Sequence, residues 1–109
     1  MGTVTNISRT KFSIGEIIHH KFFDFRGVIY DVDPKFQSAD EWHLPVARLR
    51  PLRNNPWYHV LIHDTGKTTY VAERNLEVGG DKGPINHPLV ERYFMGFDDG
   101  YYLFNQKRK

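Results

Sequence analysis

A mainly β domain is the fold class this sequence predicts, and three observations predict it. Short apolar runs alternate with a period of two and are cut by Gly, Asp and Pro. Few segments carry the 3.6-residue spacing of a long amphipathic helix. Finally, 8 Phe, 6 Tyr and 2 Trp in a chain that is 39% hydrophobic supply bulky side chains suited to a pleated core. At 109 residues the chain has the length of one domain and is too short for two cores and a linker.

The elements follow in order. Residues 1–10 read as an extended or disordered arm before a domain spanning 11–104. Phe12 and Ile14 alternate up to Gly15, and Ile17 to His20 form a second extended piece after a Gly15-Glu16 bend. Asp24 to Gly27 reads as a turn or bulge in which Gly27 supplies the positive φ. Val28, Tyr30 and Val32 then share one strand face, Ile29 and Asp31 the other, and Asp33-Pro34 ends the strand. Pro34, Pro45, Pro51 and Pro56 mark a loop-like insertion. Within it Ser38 to Glu41 has capping-box spacing, which predicts one helical turn over Ala39 to Trp42, anchored by Trp42.

A hairpin comes next: Tyr58, Val60 and Ile62 on one face, a connection at Asp64 to Lys67, and a return over Thr68 to Ala72. Glu73 to Leu76 reads as a single helical turn that plugs Leu76 into the barrel end. Gly79, Gly80, Gly83 and Pro84 form a flexible loop, and His87-Pro88 begins a short helix carrying Leu89, Arg92 and Tyr93 or Val90 and Phe94. Asp98 to Gly100 turns the chain into a last strand at Tyr101 to Phe104, before the basic tail 105–109. Together these describe a small, strongly bent barrel of the SH3-like kind, with a small sandwich as the alternative.

Composition removes several chemistries. With 0 Cys there are no disulfides, thiolate nucleophiles, iron–sulfur clusters or cysteine zinc sites, and a reducing cytoplasm is the expected location. No apolar run approaches the roughly 20 residues that cross a bilayer, and Met1 to Thr10 lacks the apolar stretch of a signal peptide, so no membrane partner is expected. A net charge of +2 is too small for binding driven by whole-domain charge, so any nucleic-acid contact must rest on a local patch.

Four segments, in this order and spacing, carry a resemblance to a known family: Lys11 to Gly15 (KFSIG), Phe25 to Phe36 (FRGVIYDVDPKF), Pro56 to Leu61 (PWYHVL) and Tyr70 to Leu76 (YVAERNL). Over Lys11 to Phe104 the chain resembles the HspQ or YccV-like proteins, the hemimethylated DNA-binding domain family. The resemblance implies an SH3-like barrel, a heat-shock-linked cytoplasmic role, binding to duplex DNA with preference for hemimethylated sites, and a second role in steering client proteins to an ATP-dependent protease. It implies no catalysis and no cofactor. One departure is Ile18-His19-His20, where the family often reads Val-Arg-His, so a permanent charge gives way to a titrating imidazole.

From Trp42 to His63 the chain holds Arg48, Arg50 and Arg53 and no acidic residue. A proline-braced loop presenting those guanidinium groups, with Arg26 beside them, Lys21 at the margin and Trp57 and Tyr58 placed for sugar or base contact, is the expected DNA-facing surface. The alternative is that the arginines solvate a loop or pair with Asp40, Glu41 and Glu73 while Trp57 sits in the core. Phe22, Phe23 and Phe25, clustered at a turn, together with Tyr93, Phe94 and Phe97, are the expected protein-interaction residues. Tyr93, Phe94 and Phe97 with Tyr101, Tyr102 and Phe104 offer more aromatic surface than a barrel end hides, which predicts a homo-oligomer, a trimer by resemblance.

No catalytic or metal site is expected. His59 and His63 share a strand face about 13 Å apart at about 3.3 Å per residue, too far to hold one ion, and His19 and His20 point to opposite faces. Ser8, Ser13 and Ser38 lack a neighbouring base. Asp31 and Asp33, about 7 Å apart on one face, have glycosidase-like spacing, but Asp33 before Pro34 reads more simply as a strand end.

Overall fold

The computed structural model describes residues 10–34 and 55–104 of the chain. The expected helical turn over Ala39 to Trp42, its Ser38 to Glu41 cap and both tails lie outside the described residues. The fold is mainly β. Strands β1 (Ile17–His20), β2 (Arg26–Asp33), β3 (Trp57–Ile62), β4 (Thr68–Ala72) and β5 (Leu76–Val78) form one antiparallel sheet in the order β4-β3-β2-β1-β5. Strands β6 (Phe94–Asp98) and β7 (Tyr101–Phe104) form a separate two-stranded hairpin. A one-turn 3-10 helix, Glu73–Asn75, joins β4 to β5, and a four-residue helix α1, Val90–Tyr93, precedes β6. Among the described residues no helix is long and apolar enough to cross a membrane.

The large sheet is buried on both faces, which explains why Ile17 and Ile18, adjacent in β1 and therefore facing opposite ways, are both inaccessible. Ile18 joins Phe12, Ile29, Tyr58, Val60, Val71 and Leu76 in one core. Ile17 joins Val28, Leu61, Ile85, Phe94 and Tyr102 in a second, on the face that the β6–β7 hairpin and the segment before it cover.

The expected face assignment along β2 fails at one point. The register skips between Ile29 and Asp31, so Ile29 lies opposite Val60 while Asp31 lies opposite His59. This bulge shifts the alternation by one residue. Val28 and Tyr30 pack on the second core, whereas Val32 packs with Ile29 on the first, instead of sharing a face with Val28.

Two glycines fix the sheet's geometry, one of them not as expected. Gly27 does not take positive φ; Asp24 does, at 55°, in the turn from β1 to β2. Gly27 is required instead by close approach, since a Cβ there would stand 2.4 Å from the Leu61 carbonyl oxygen of β3. Gly15 has φ +95° and sits where three segments meet. Its N–H donates to the Ile29 carbonyl at 2.8 Å, and its own carbonyl accepts from the Tyr102 N–H at 2.8 Å. With the Glu16–Tyr101 bridge, this ties the hairpin to the sheet.

Candidate functional site

The β1–β2 turn presents Lys21, Phe22 and Phe23 to solvent, with Phe22 71% and Phe23 75% exposed. Buried His20 organises this tip: its Nδ1 accepts the backbone N–H groups of both Phe22 and Phe23 at 3.1 Å, and its ring stacks against Phe23 and Phe25 at centroid distances of 4.7 and 5.0 Å. Phe25 faces inward against the first core. The tip is therefore a pair of exposed rings whose backbone is held by a buried imidazole.

His19, one residue earlier, faces outward between two carboxylates. Its Nε2 meets Asp24 Oδ1 and its Nδ1 meets Glu77 Oε2, each at 2.7 Å. Hydrogen bonding to Asp24 first, then to Glu77, raises its pKa above 6.5, while burial and the neighbouring His19 push His20 below 6.5. His19 thus sits in an acidic clamp that favours its charged form and occupies both of its ring nitrogens.

Opposite pH dependences follow. His19 contributes stability that is present below the unfolded value of 6.5 and is lost as pH rises through its raised folded value. His20 contributes stability that is full above 6.5 and declines as pH falls towards its lowered folded value, because the unfolded chain takes the proton first. In thermal melts from about pH 5 to about pH 8, His20→Asn is expected to flatten the loss of Tm on acidification and His19→Gln to steepen it. Parallel curves for both variants and the parent chain would refute this assignment.

The expected basic strip divides. Arg48, Arg50 and Arg53 lie outside the described residues. Arg26 does not point to solvent: its guanidinium donates to the Gly83 carbonyl at 2.7 Å and the Pro84 carbonyl at 3.2 Å, and its Nε lies 3.5 Å from Asp81. With its side chain 18% exposed, it fastens the glycine-rich loop to the sheet. Lys21 remains exposed at the tip. Trp57 is half-buried, its ring 5.1 Å from that of Tyr70, on the sheet face that also carries Asp31, Asp33 and His59. That neighbourhood is acidic.

Two cations have no counterpart in the expected strip. Exposed Lys11 and Arg74 line a hollow of about 160 Å³ with Asn55, Ala72 and Glu73, and Asn55 is where the chain carrying Arg48, Arg50 and Arg53 re-enters the described fold. The Glu73 carboxylate there is already engaged, accepting the Tyr58 O–H at 2.5 Å and the Lys11 N–H at 2.8 Å. Lys11 and Arg74 stand far apart in sequence, so no local pattern signals their meeting.

Of the expected protein-interaction residues, Phe22, Phe23, Tyr93 and Phe97 are accessible, whereas Phe94 is 6% exposed and belongs to the second core. Of the further aromatics expected at the surface, Tyr101 and Phe104 are exposed but Tyr102 is buried in the second core, and Met95 and Leu103 on the hairpin are exposed as well.

Comparison with known proteins agrees with the resemblance seen in the sequence. A family model described as hemimethylated DNA-binding protein YccV like matches residues 10–101. The chain is similar to F-box only protein 21 of Homo sapiens, 38% identical over 96 residues, covering 86% of this chain and 15% of that protein. Its similarity to F-box only protein 21 of Mus musculus is 36% over 96 residues, with the same coverage. The chain thus spans 15% of the length of these relatives.

Proposed function

The chain belongs to the YccV-like family of hemimethylated DNA-binding proteins, and from that membership we propose that it is a non-catalytic module that grips duplex DNA, hemimethylated sites included. The family match over residues 10–101 carries the reading. Chemical support comes from the acid-free run holding Arg48, Arg50 and Arg53, and from Lys11 and Arg74, which line a hollow with Asn55, two residues after Arg53. These five cations, with Lys21 further along, form the phosphate-facing surface in this reading, and Arg26 acts as scaffold. The fold proposed for the module is an SH3-like barrel. The antiparallel order β4-β3-β2-β1-β5 and the 3-10 turn between β4 and β5 support it.

The test is fluorescence anisotropy on matched unmethylated, hemimethylated and fully methylated duplexes across a salt series. Replacing Arg48, Arg50 and Arg53 together with alanine is expected to lower the slope of log affinity against log salt by about 2.7, at about 0.9 for each phosphate that the protein no longer neutralises. An unchanged slope would remove the arginines from the interface.

A second reading is favoured by the exposed Phe22-Phe23 tip and by the apolar outer side of the hairpin at Met95, Tyr101 and Leu103. In it the module is a cytoplasmic, heat-shock-linked adaptor that delivers clients to an ATP-dependent protease, as a homo-oligomer with a trimer expected. Equal, weak and salt-sensitive binding to all three duplexes, with a protease recovered by pull-down, would favour this reading. A light-scattering mass equal to the 12.8 kDa chain would remove its oligomer.

A further inference from the structure

The β2 bulge that displaces Val32 also brings a histidine of β3 opposite the pair of carboxylates, Asp31 and Asp33, that strand spacing already places on one face. Because Asp31 lies opposite His59 in the register, and Asp33 follows Asp31 by two residues, both carboxylates reach the same sheet face as the imidazole. One ligand atom from each of Asp31, Asp33 and His59 lies within 4.8 Å of the others. We propose that these three residues bind a divalent transition-metal ion of the zinc type.

Donor chemistry selects the class of ion. One imidazole nitrogen with two carboxylate oxygens suits zinc, cobalt or nickel, whereas magnesium and calcium favour fuller shells of oxygen ligands. Metal–ligand bonds of about 2.0–2.2 Å in a tetrahedron place donors about 3.3–3.6 Å apart. The observed spread therefore closes with side-chain movements of about 1 Å, within the reach of small χ changes in two aspartates and an imidazole.

The surroundings already hold the ligands in place, as metal sites require of the residues behind them. Tyr70 O–H donates to Asp33 Oδ2 at 2.7 Å from outside the three ligands. The His59 ring packs 4.5 Å from Tyr70 and 5.8 Å from Tyr30, so its plane is set by aromatic neighbours on two strands. Asp31 is exposed and the other two ligands are half-buried, which leaves an entry path. Among the described residues no lysine or arginine pairs with either carboxylate, and the carboxylate that meets His59 is that of Asp33, at 3.0 Å. A divalent ion neutralises both.

Chelator-stripped full-length protein at neutral pH supplies the test, by calorimetric titration with zinc chloride and by visible absorption with cobalt(II). One site is expected, with zinc binding weakened by at least about 100-fold in Asp31→Asn and in His59→Gln, the upper end of what losing a mere outer-shell partner costs, and with loss of the cobalt d–d bands in both. His63→Gln and His19→Gln are expected to bind as the parent does. Asp31→Asn is an exposed change that spares the fold, and far-UV circular dichroism checks both ligand variants. Absence of cobalt bands and of binding heat at about 1 mM metal would overturn the proposal. So would binding that survives Asp31→Asn and His59→Gln but falls in His63→Gln or His19→Gln, which would mark histidine capture elsewhere.

Discussion

Alanine at position 15 is expected to cost about 4 kcal/mol, the sum of about 1–3 kcal/mol for a non-glycine residue in a strained backbone region and about 1–3 kcal/mol for overpacking. Both terms arise at one atom. Gly15 has φ +95°, and a Cβ there would lie 2.2 Å from the Tyr102 carbonyl oxygen. The obstacle is backbone, so no side-chain rotation relieves it. Nor can the segment shift freely, because Gly15 donates to Ile29 and accepts from Tyr102, joining the sheet to the hairpin. A domain of this size is stabilised by only about 5–15 kcal/mol, so much of the total is lost. Denaturant unfolding measures it, with Gly80→Ala as the control because nothing lies within 4 Å of its added Cβ. A Gly15→Ala variant within about 1 kcal/mol of the parent would show that the hairpin is not docked through this contact.

The same junction shows what sequence reading reaches. Alternation and turn residues place the β3–β4 hairpin, the 3-10 turn and the last strand, because each is decided by a few consecutive residues. Strands β5 and β6 are not visible this way. Leu76–Val78 has three residues and exists because β1 offers it a partner, and Phe94–Asp98 begins where the residues read as helix end after the single turn Val90–Tyr93. Gly27 misleads for a related reason: its neighbour across the sheet, Leu61, decides its use, while Asp24 takes the left-handed backbone. Local pattern sees a glycine near a turn but not the strand pressed against it.

Site residues divide along the same line. The exposure of Phe22 and Phe23 is legible because three aromatics beside a turn exceed what one turn buries. Arg26 is not legible as scaffold, since its acceptors are backbone carbonyls of a loop more than fifty residues onward, and carbonyls leave no mark in a sequence. The grouping of Asp31, Asp33 and His59 likewise depends on a register skip, which no count of histidines or carboxylates along one strand contains.

Tyr58 carries the second large effect. Its side chain is fully buried, its ring meets Phe12 edge-on at 5.6 Å, and its O–H donates to the Glu73 carboxylate at 2.5 Å while its oxygen accepts the Phe12 N–H at 3.3 Å. Burial, and then the Glu73 carboxylate, push the phenol well above its ordinary pKa of 10, so it remains a donor throughout the working pH range. The ring and the hydroxyl contribute separately. Tyr58→Ala is expected to cost about 5 kcal/mol, since truncating a buried aromatic costs about 3–5 kcal/mol and the freed Glu73 and Phe12 groups add to it. Tyr58→Phe keeps the packing and is expected to cost about 2 kcal/mol, the usual value for a hydrogen bond to a charged group. The coupling identifies the cause: in a Glu73→Ala background the Tyr58→Phe cost should fall below about 1 kcal/mol, because the charged acceptor has gone. Equal costs in the two backgrounds, read from urea unfolding, would mean that the hydroxyl acts through Phe12 alone and not through the Glu73 carboxylate.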